Sequence, residues 1–276
     1  MSLALAVAGR IPSAAWRPTT RAAAALAARR PPKALRQWQL NAQAATGIFP
    51  SRRETAEAGA SWARNLFESA QLERWSNDDV LRTVLISDAD RQRLVGAHRN
   101  GGAVIGLPHM GSWDLAGAWA CLNGLPVSTV AEQIPEFDYF VRVREVLGMR
   151  VYGHRDRQAV AKLEADQRAG RMVCLVTDRR VGRGGVPVLW PTPSGPLEVR
   201  MPAGAARLAL ETGSTLLGIA CHYQGDRMRL VVSEPLVGDD AQALTQQLAD
   251  FFAGQVRQRV VDWHVLVPFF PEVVAS

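Results

Sequence analysis

Cysteine is scarce: Cys121, Cys174 and Cys221 are three in number, widely spaced and set in apolar runs. That pattern excludes a disulfide framework and a paired-cysteine zinc site, and it predicts reduced core thiols. No uninterrupted apolar stretch of about 18 residues occurs, so no spanning helix is expected. Lysine is nearly absent, since of the 32 basic residues only Lys33 and Lys162 are not arginine. Acidic residues are missing from the first 53 positions, where the first is Glu54. There is no G-x-S-x-G elbow, which argues against a hydrolase serine nucleophile, and no H-E-x-x-H zinc motif. The opening MSLALAVAGR has no basic stretch before its apolar part, so a secretory signal is not expected, although the Arg- and Ala-rich start also fits an organelle transit peptide.

What is present is a 276-residue chain with 47% apolar and 21% charged residues and a formal charge of +6. Those proportions suit one folded domain with a full core. Arginine pairs planar anions bidentately, which suits phosphates and carboxylates. Residues 1–53 carry nine cations (Arg10, Arg17, Arg21, Arg29, Arg30, Lys33, Arg36, Arg52 and Arg53) mixed with Leu3, Leu5, Val7, Ile11, Trp16, Leu26, Leu35, Trp38, Leu40 and Phe49. This mixture predicts basic amphipathic helices lying on an anionic membrane surface. A nucleic-acid arm suits Trp and Leu less well, and a core-packed helix pair with a solvated basic face is the remaining alternative.

Apolar residues at helical spacing run from Glu54 to Trp75, and Asn77 with Asp78 reads as an N-cap before Val80, Leu81, Val84 and Leu85. From residue 101 short apolar runs alternate with helical stretches. GAVIGLP, PVSTVAE, MRVYG, RMVCLVTD and STLLGIACHY read as strands, and RMRLVVSEPL as an edge strand or hairpin partner. DLAGAWACLNG, FDYFVRVREVLGM, QAVAKLEADQRAG, PAGAARLALETG and DAQALTQQLADFFAGQVRQRV read as helices, with a Gly/Pro-rich loop at 182–196. The alternation predicts an α/β fold, a central mostly parallel twisted sheet with helices on both faces. The expected organisation is a single domain over 1–276, with a helical appendage at 1–53 and a catalytic core at 54–276.

In such sheets reactive groups gather at the carboxyl ends of strands. His109 follows GAVIGLP at once and Asp178 follows VCLVT, which makes them a candidate base and its orienting acid. Asp114 falls in the first turn of the next helix, where the dipole favours a carboxylate and free N–H groups could face an oxyanion. His98, His154, His222 and His264 rank lower. VGRGGV lacks dinucleotide-fingerprint spacing and reads as a loop approaching the site.

The histidine-x4-aspartate pair after an apolar strand resembles the lysophospholipid acyltransferase superfamily. PHMGSWDLAGAW, STVAEQ, FVRVREVLGMRV, VCLVTDR, RMPAGAARLAL-ETG and DWHVLVP follow in the order seen in phosphatidylinositol mannoside acyltransferases of the lipid A late-acyltransferase branch, and SWARNLFE is similar to that branch upstream. The resemblance runs from about residue 60 to 270 and implies a glycerol-phosphate acyltransferase-like fold. It implies acyl transfer from acyl-CoA to a mannose hydroxyl of a mannosylated phosphatidylinositol, at the cytoplasmic face of the inner membrane. No cofactor, metal or nucleic acid is implied, with acyl-CoA as co-substrate and a monomer expected. His109 matches the family's general base, and Asp178 stands where the family usually has a glutamate. Asp114 matches the motif acid, or tethers Trp263 and His264. Substrate binding is carried over to Arg144, Trp113, Ser112, Arg179 and Arg200, with Trp263, His264 and Asp262 behind them. Ser112 replaces the usual asparagine, Arg180 a common second acid, and GVPVLWPTPSG a loop richer in phenylalanine. The alternatives are another glycolipid acceptor, acyl carrier protein as donor, or a non-catalytic membrane-binding relative.

Overall fold

The computed structural model describes residues 10–133, 135–179, 184–271 and 273–275. Three helices lead: α1 (Ser13–Ala27), α2 (Lys33–Thr46) and α3 (Arg52–Gln71). After a short 3-10 turn come α4 (Asn77–Thr83), β1 (Val84–Ile86) and α5 (Asp88–Arg99). The alternating core follows as β2 (Ala103–Leu107), α6 (Trp113–Leu122), β3 (Val127–Ala131), α7 (Phe137–Val146), β4 (Arg150–Gly153), α8 (Ala159–Arg168) and β5 (Met172–Val176). Then come β6 (Val186–Trp190), β7 (Leu197–Met201), α9 (Gly204–Thr212), β8 (Thr215–Gln224), β9 (Arg227–Val232) and α10 (Ala241–Gln258).

Seven strands form one sheet in the order β1-β9-β8-β2-β5-β3-β4. The run from β8 to β4 is parallel, and β9 pairs antiparallel with β8 while carrying β1 parallel at the edge. Strand side chains alternate between the two faces. Ile105 and Leu107 thus join the core beneath α5 and α6, and Val104 joins the core beneath α9 and α10. Burial on both faces is why β2 reads as a continuous apolar run.

Four details depart from the sequence reading. Val84 and Leu85 belong to a strand, and Ser76 rather than Asn77 caps α4, through a reciprocal capping box with Asp79. The stretch read as a Gly/Pro-rich loop contains β6, which pairs antiparallel with β7 from Val186–Met201 to Trp190–Leu197. Pro187 disguises that strand.

The fourth concerns the leading helices, of which Trp16, Leu35 and Trp38 turn into the protein. Trp16 stacks on Phe67 at 4.9 Å and donates from Nε1 to Gln71 Oε1 at 3.2 Å. Trp38 is 1% exposed and donates from Nε1 to the Trp263 carbonyl at 3.0 Å. Leu35 is also buried, and Asn41 Nδ2 donates to the carbonyls of Val265 and Val267 at 2.9 and 2.8 Å. The described part of the appendage is therefore packed into the core, with Arg29, Arg30, Lys33, Arg52 and Arg53 left exposed beside Leu26, Ile48 and Phe49. Residues 1–9, including Leu3, Leu5 and Val7, lie outside the described residues. No helix among the described residues is long and apolar enough to cross a membrane.

Candidate active site

The site begins where two paired strands end. Leu107 of β2 and Val176 of β5 are register partners, so His109 and Asp178, each two residues on, stand side by side at the carboxyl edge. Pro108 stops β2. Gly111 then turns the chain with φ +59, a conformation few other residues adopt. A Cβ there would lie 2.6 Å from the Cys221 carbonyl oxygen, so both angle and space demand glycine. The turn ends at Ser112, whose hydroxyl caps α6 by accepting from the Leu115 N–H at 3.3 Å.

Asp178 is fully buried, and four donors converge on it. His109 Nδ1 donates to Oδ1 at 2.5 Å and the His109 backbone N–H to Oδ2 at 2.9 Å. The Arg179 backbone N–H reaches Oδ1 at 2.9 Å, and Trp263 Nε1 reaches Oδ2 at 3.0 Å. Burial pushes the carboxyl pKa up, but the adjacent His109 charge and the bonds from the His109 ring, Trp263 and the His109 backbone outweigh it. The net shift is downward. An ionised Asp178 fixes the proton on Nδ1, which leaves Nε2 as the lone-pair nitrogen.

The segment Val260–His264 braces this pair from behind. Gly111 N–H donates to the Asp262 carbonyl at 3.0 Å and His264 N–H to the His109 carbonyl at 2.7 Å. Ser61 of α3 donates to Asp262 Oδ1 at 2.7 Å and lies 3.0 Å from His264 Nε2. With the Ser61 proton committed to the carboxylate, its oxygen accepts from His264 Nε2–H, and the lone pair of that ring sits on Nδ1. Burial, then the charge of His109, pushes the His264 pKa down to about 3 against the pull of Asp178. This ring is neutral and acts as no base at pH 7. Asp262 also accepts from the Tyr223 backbone N–H at 2.8 Å and from Arg259 Nε at 3.1 Å.

The remaining expected residues divide. Trp113 sets its ring edge-on to His109 at 5.6 Å and to His264 at 6.4 Å. Asp114 does not tether Trp263 or His264; it holds Arg144 bidentately, Nε to Oδ1 at 2.6 Å and Nη2 to Oδ2 at 3.2 Å. Trp263 takes its partner from Asp178 instead. Arg179 lines the cavity, its Nη2 3.1 Å from Glu132 Oε2. Ser112 is buried as the cap of α6 and is not among the residues that line the cavity. Arg200 is exposed on β7 and donates to the carbonyl of the cavity-lining Gly185 at 2.6 Å. Arg180 and the first three residues of VGRGGV lie outside the described residues, while Gly184 and Gly185 line the cavity.

His109 opens onto a cavity of about 830 Å³. Trp62, Glu132, Arg179 and His264 are among its lining residues, and the lining is mostly apolar, with Ile105, Leu107, Trp119, Met172, Ile219 and Leu230 in its walls. Thr177 and His264 also line it, and Thr177 Oγ1 and His264 Nδ1 are buried without a partner among the described residues. Sequence reasoning missed Ser61, which binds the site only through Asp262 and His264, two hundred residues on, and it missed Glu132, whose one signal is its place at the end of β3. No cluster of metal-binding side chains occurs among the described residues.

A histidine hydrogen-bonded to a buried carboxylate thus stands on the wall of a largely apolar cavity at the carboxyl edge of an α/β sheet. The chain belongs to the family described as bacterial lipid A biosynthesis acyltransferase, whose profile matches residues 3–271. It is 40% identical over 177 residues to a phosphatidylinositol mannoside acyltransferase of Mycolicibacterium smegmatis, covering 60% of this chain and 56% of that protein. A protein of the same description from Mycobacterium tuberculosis is 39% identical over 175 residues, covering 60% of this chain and 54% of its own. The match thus spans just over half the length of these relatives.

Proposed function

We propose that this protein moves a fatty acyl group from acyl-CoA to a mannose hydroxyl of a phosphatidylinositol mannoside at a membrane surface, with His109 as general base. The observation that carries the reading is the His109–Asp178 pair on the wall of an apolar cavity of about 830 Å³. A sugar hydroxyl attacks the thioester carbonyl while His109 Nε2 takes its proton, and the resulting imidazolium is held by Asp178. The tetrahedral oxyanion then expels the CoA thiolate, which recovers the proton from His109. General-base help of this kind is worth roughly 10² to 10⁴ in rate.

The N–H groups of Trp113 and Asp114, at the start of α6, have no intrahelical acceptor and suit the oxyanion. Arg144 is already committed to Asp114, so its role is to hold that first turn rather than to meet the charge. The acyl tail occupies the apolar interior, and the unpaired Thr177 Oγ1 and His264 Nδ1 offer hydrogen bonds to sugar hydroxyls. Leu26, Ile48 and Phe49, exposed among Arg29, Arg30, Lys33, Arg52 and Arg53, make the membrane contact at the cytoplasmic face. Phosphatidylinositol mannoside as acceptor rests on the relatives' names.

The test is purified protein with radiolabelled palmitoyl-CoA and a mannosylated phosphatidylinositol. Acylated lipid is expected from wild type and from His98→Gln, and not from His109→Ala. CoA release without lipid acylation would mark a thioesterase and overturn the reading. Lipid binding with no turnover of any acceptor would mark a non-catalytic relative.

A further inference from the structure

The lining of the cavity beside His109 reaches the level at which two parallel strands begin. Because His109 and Asp178 stand at the carboxyl ends of β2 and β5, the far end is marked by strand amino ends. Val127 and Met172, both cavity-lining, are register partners there. Val176 is four residue steps along β5 from Met172, roughly 13 Å of strand. Ser128 is the register partner of Arg150, which puts Met149 at the level of Val127. Met149 is buried and lines the cavity.

Opposite Met149, α6 presents Gly117. A Cβ on Gly117 would lie 2.5 Å from Met149 Sδ and 3.5 Å from its Cε, so the thioether fills the notch left by the missing side chain. Glycine inside a helix costs about 1 kcal/mol relative to alanine, a cost that a packing reason must offset. The methionine is the flexible, gap-filling kind of side chain. It lies on the cavity lining at the strand ends remote from His109.

We propose that Met149 seated against Gly117 is the stop that sets the longest acyl chain this enzyme accepts. The inference rests on the reading above that the apolar interior receives the acyl tail. The terminal methyl of the longest good substrate abuts the Met149 thioether. Met149→Ala removes the three heavy atoms of that stop and lengthens the space. Gly117→Ala expels the thioether from its notch into the lumen and shortens it. A chain one methylene too long for an apolar pocket loses roughly 10- to 200-fold in kcat/KM.

The experiment measures kcat/KM on the full chain for a homologous series of saturated acyl-CoAs at fixed mannosylated acceptor. Met149→Ala is expected to raise the longest chain turned over by about three carbons, the number of heavy atoms deleted beyond Cβ. Gly117→Ala is expected to lower it, with short donors still turned over. The volume-conserving Met149→Leu should keep the wild-type profile and shows that the two shifts do not come from general loosening. Opposite shifts from the two variants support the stop. An unchanged profile in an active Met149→Ala protein overturns it, whatever becomes of Gly117→Ala. Wild-type protein that transfers no acyl chain of any length overturns the site reading as well.

Discussion

Replacing Asp178 with asparagine tests the acid–base arrangement with the smallest change in shape. The wild-type carboxylate receives four donors, two on each oxygen. Asparagine has one accepting oxygen and one NH2, so whichever way it turns, two donors face another donor. With its oxygen in the Oδ2 position it keeps the His109 backbone N–H and the Trp263 indole. Its NH2 then meets His109 Nδ1 and the Arg179 N–H. The imidazole responds by moving its proton to Nε2, which makes Nδ1 an acceptor and removes the lone pair that the reaction needs. A comparable carboxylate-to-amide exchange behind a catalytic histidine costs about 10⁴ in kcat. The expected loss here is therefore between about 10² and 10⁴, the worth of a general base. The unsatisfied Arg179 N–H costs folding a further 1–3 kcal/mol or so. The assay is the initial rate of thiol release coupled to lipid acylation, at saturating donor, on protein shown by its melting curve to be folded. An Asp178→Asn protein that retains more than about a tenth of wild-type kcat refutes the orienting role, because a wrong tautomer cannot be that mild.

Other outcomes follow from contacts already described. Asp114→Asn strands the Arg144 guanidinium, 14% exposed, and is expected to destabilise by about 3 kcal/mol, whereas Asp114→Asn with Arg144→Met recovers much of it; chemical denaturation of the three proteins checks this. His264, with its pKa pushed to about 3, binds fewer protons folded than unfolded, so its contribution is present above about pH 6.5 and lost as pH falls. About 2 kcal/mol should disappear between pH 7 and pH 5, and His264→Gln, which keeps a polar end near Ser61, should flatten that slope in urea melts. Ile48→Ser with Phe49→Ser should reduce sedimentation with anionic liposomes without moving Tm; unchanged sedimentation would rule out that contact. Deleting residues 10–50 should instead prevent folding, since it removes Trp38 and Asn41 from the core.

The His109–Asp178 pair was legible because its geometry is local: an apolar strand, a stop, and a titratable residue two positions on fix both groups at one edge without any knowledge of the rest. What lies behind the pair was not, since Asp114–Arg144 spans thirty residues and Ser61–His264 two hundred, distances over which spacing carries no register. The small hairpin failed to show because Pro187 and an exposed Leu189 break the alternation that marks a strand. The leading helices were only partly legible, for a different reason. Trp and Leu among arginines satisfy both a bilayer and a protein interior, and composition cannot tell which solvent the apolar face meets. Trp38 met Trp263, and only chain topology decides that.

The bond from Trp38 to the Trp263 carbonyl, with the indole of Trp263 in turn on Asp178, has a consequence for synthesis. The imidazole is braced by residues from the last fifteen or so positions of the chain, clamped by a helix from the first fifty. A ribosome that has completed the sheet through β8 has made both His109 and Asp178, yet the carboxylate still lacks its indole and the turn its two backbone anchors. The surroundings of His109 and Asp178 are thus complete only once residues 260–264 have closed against the helix Lys33–Thr46.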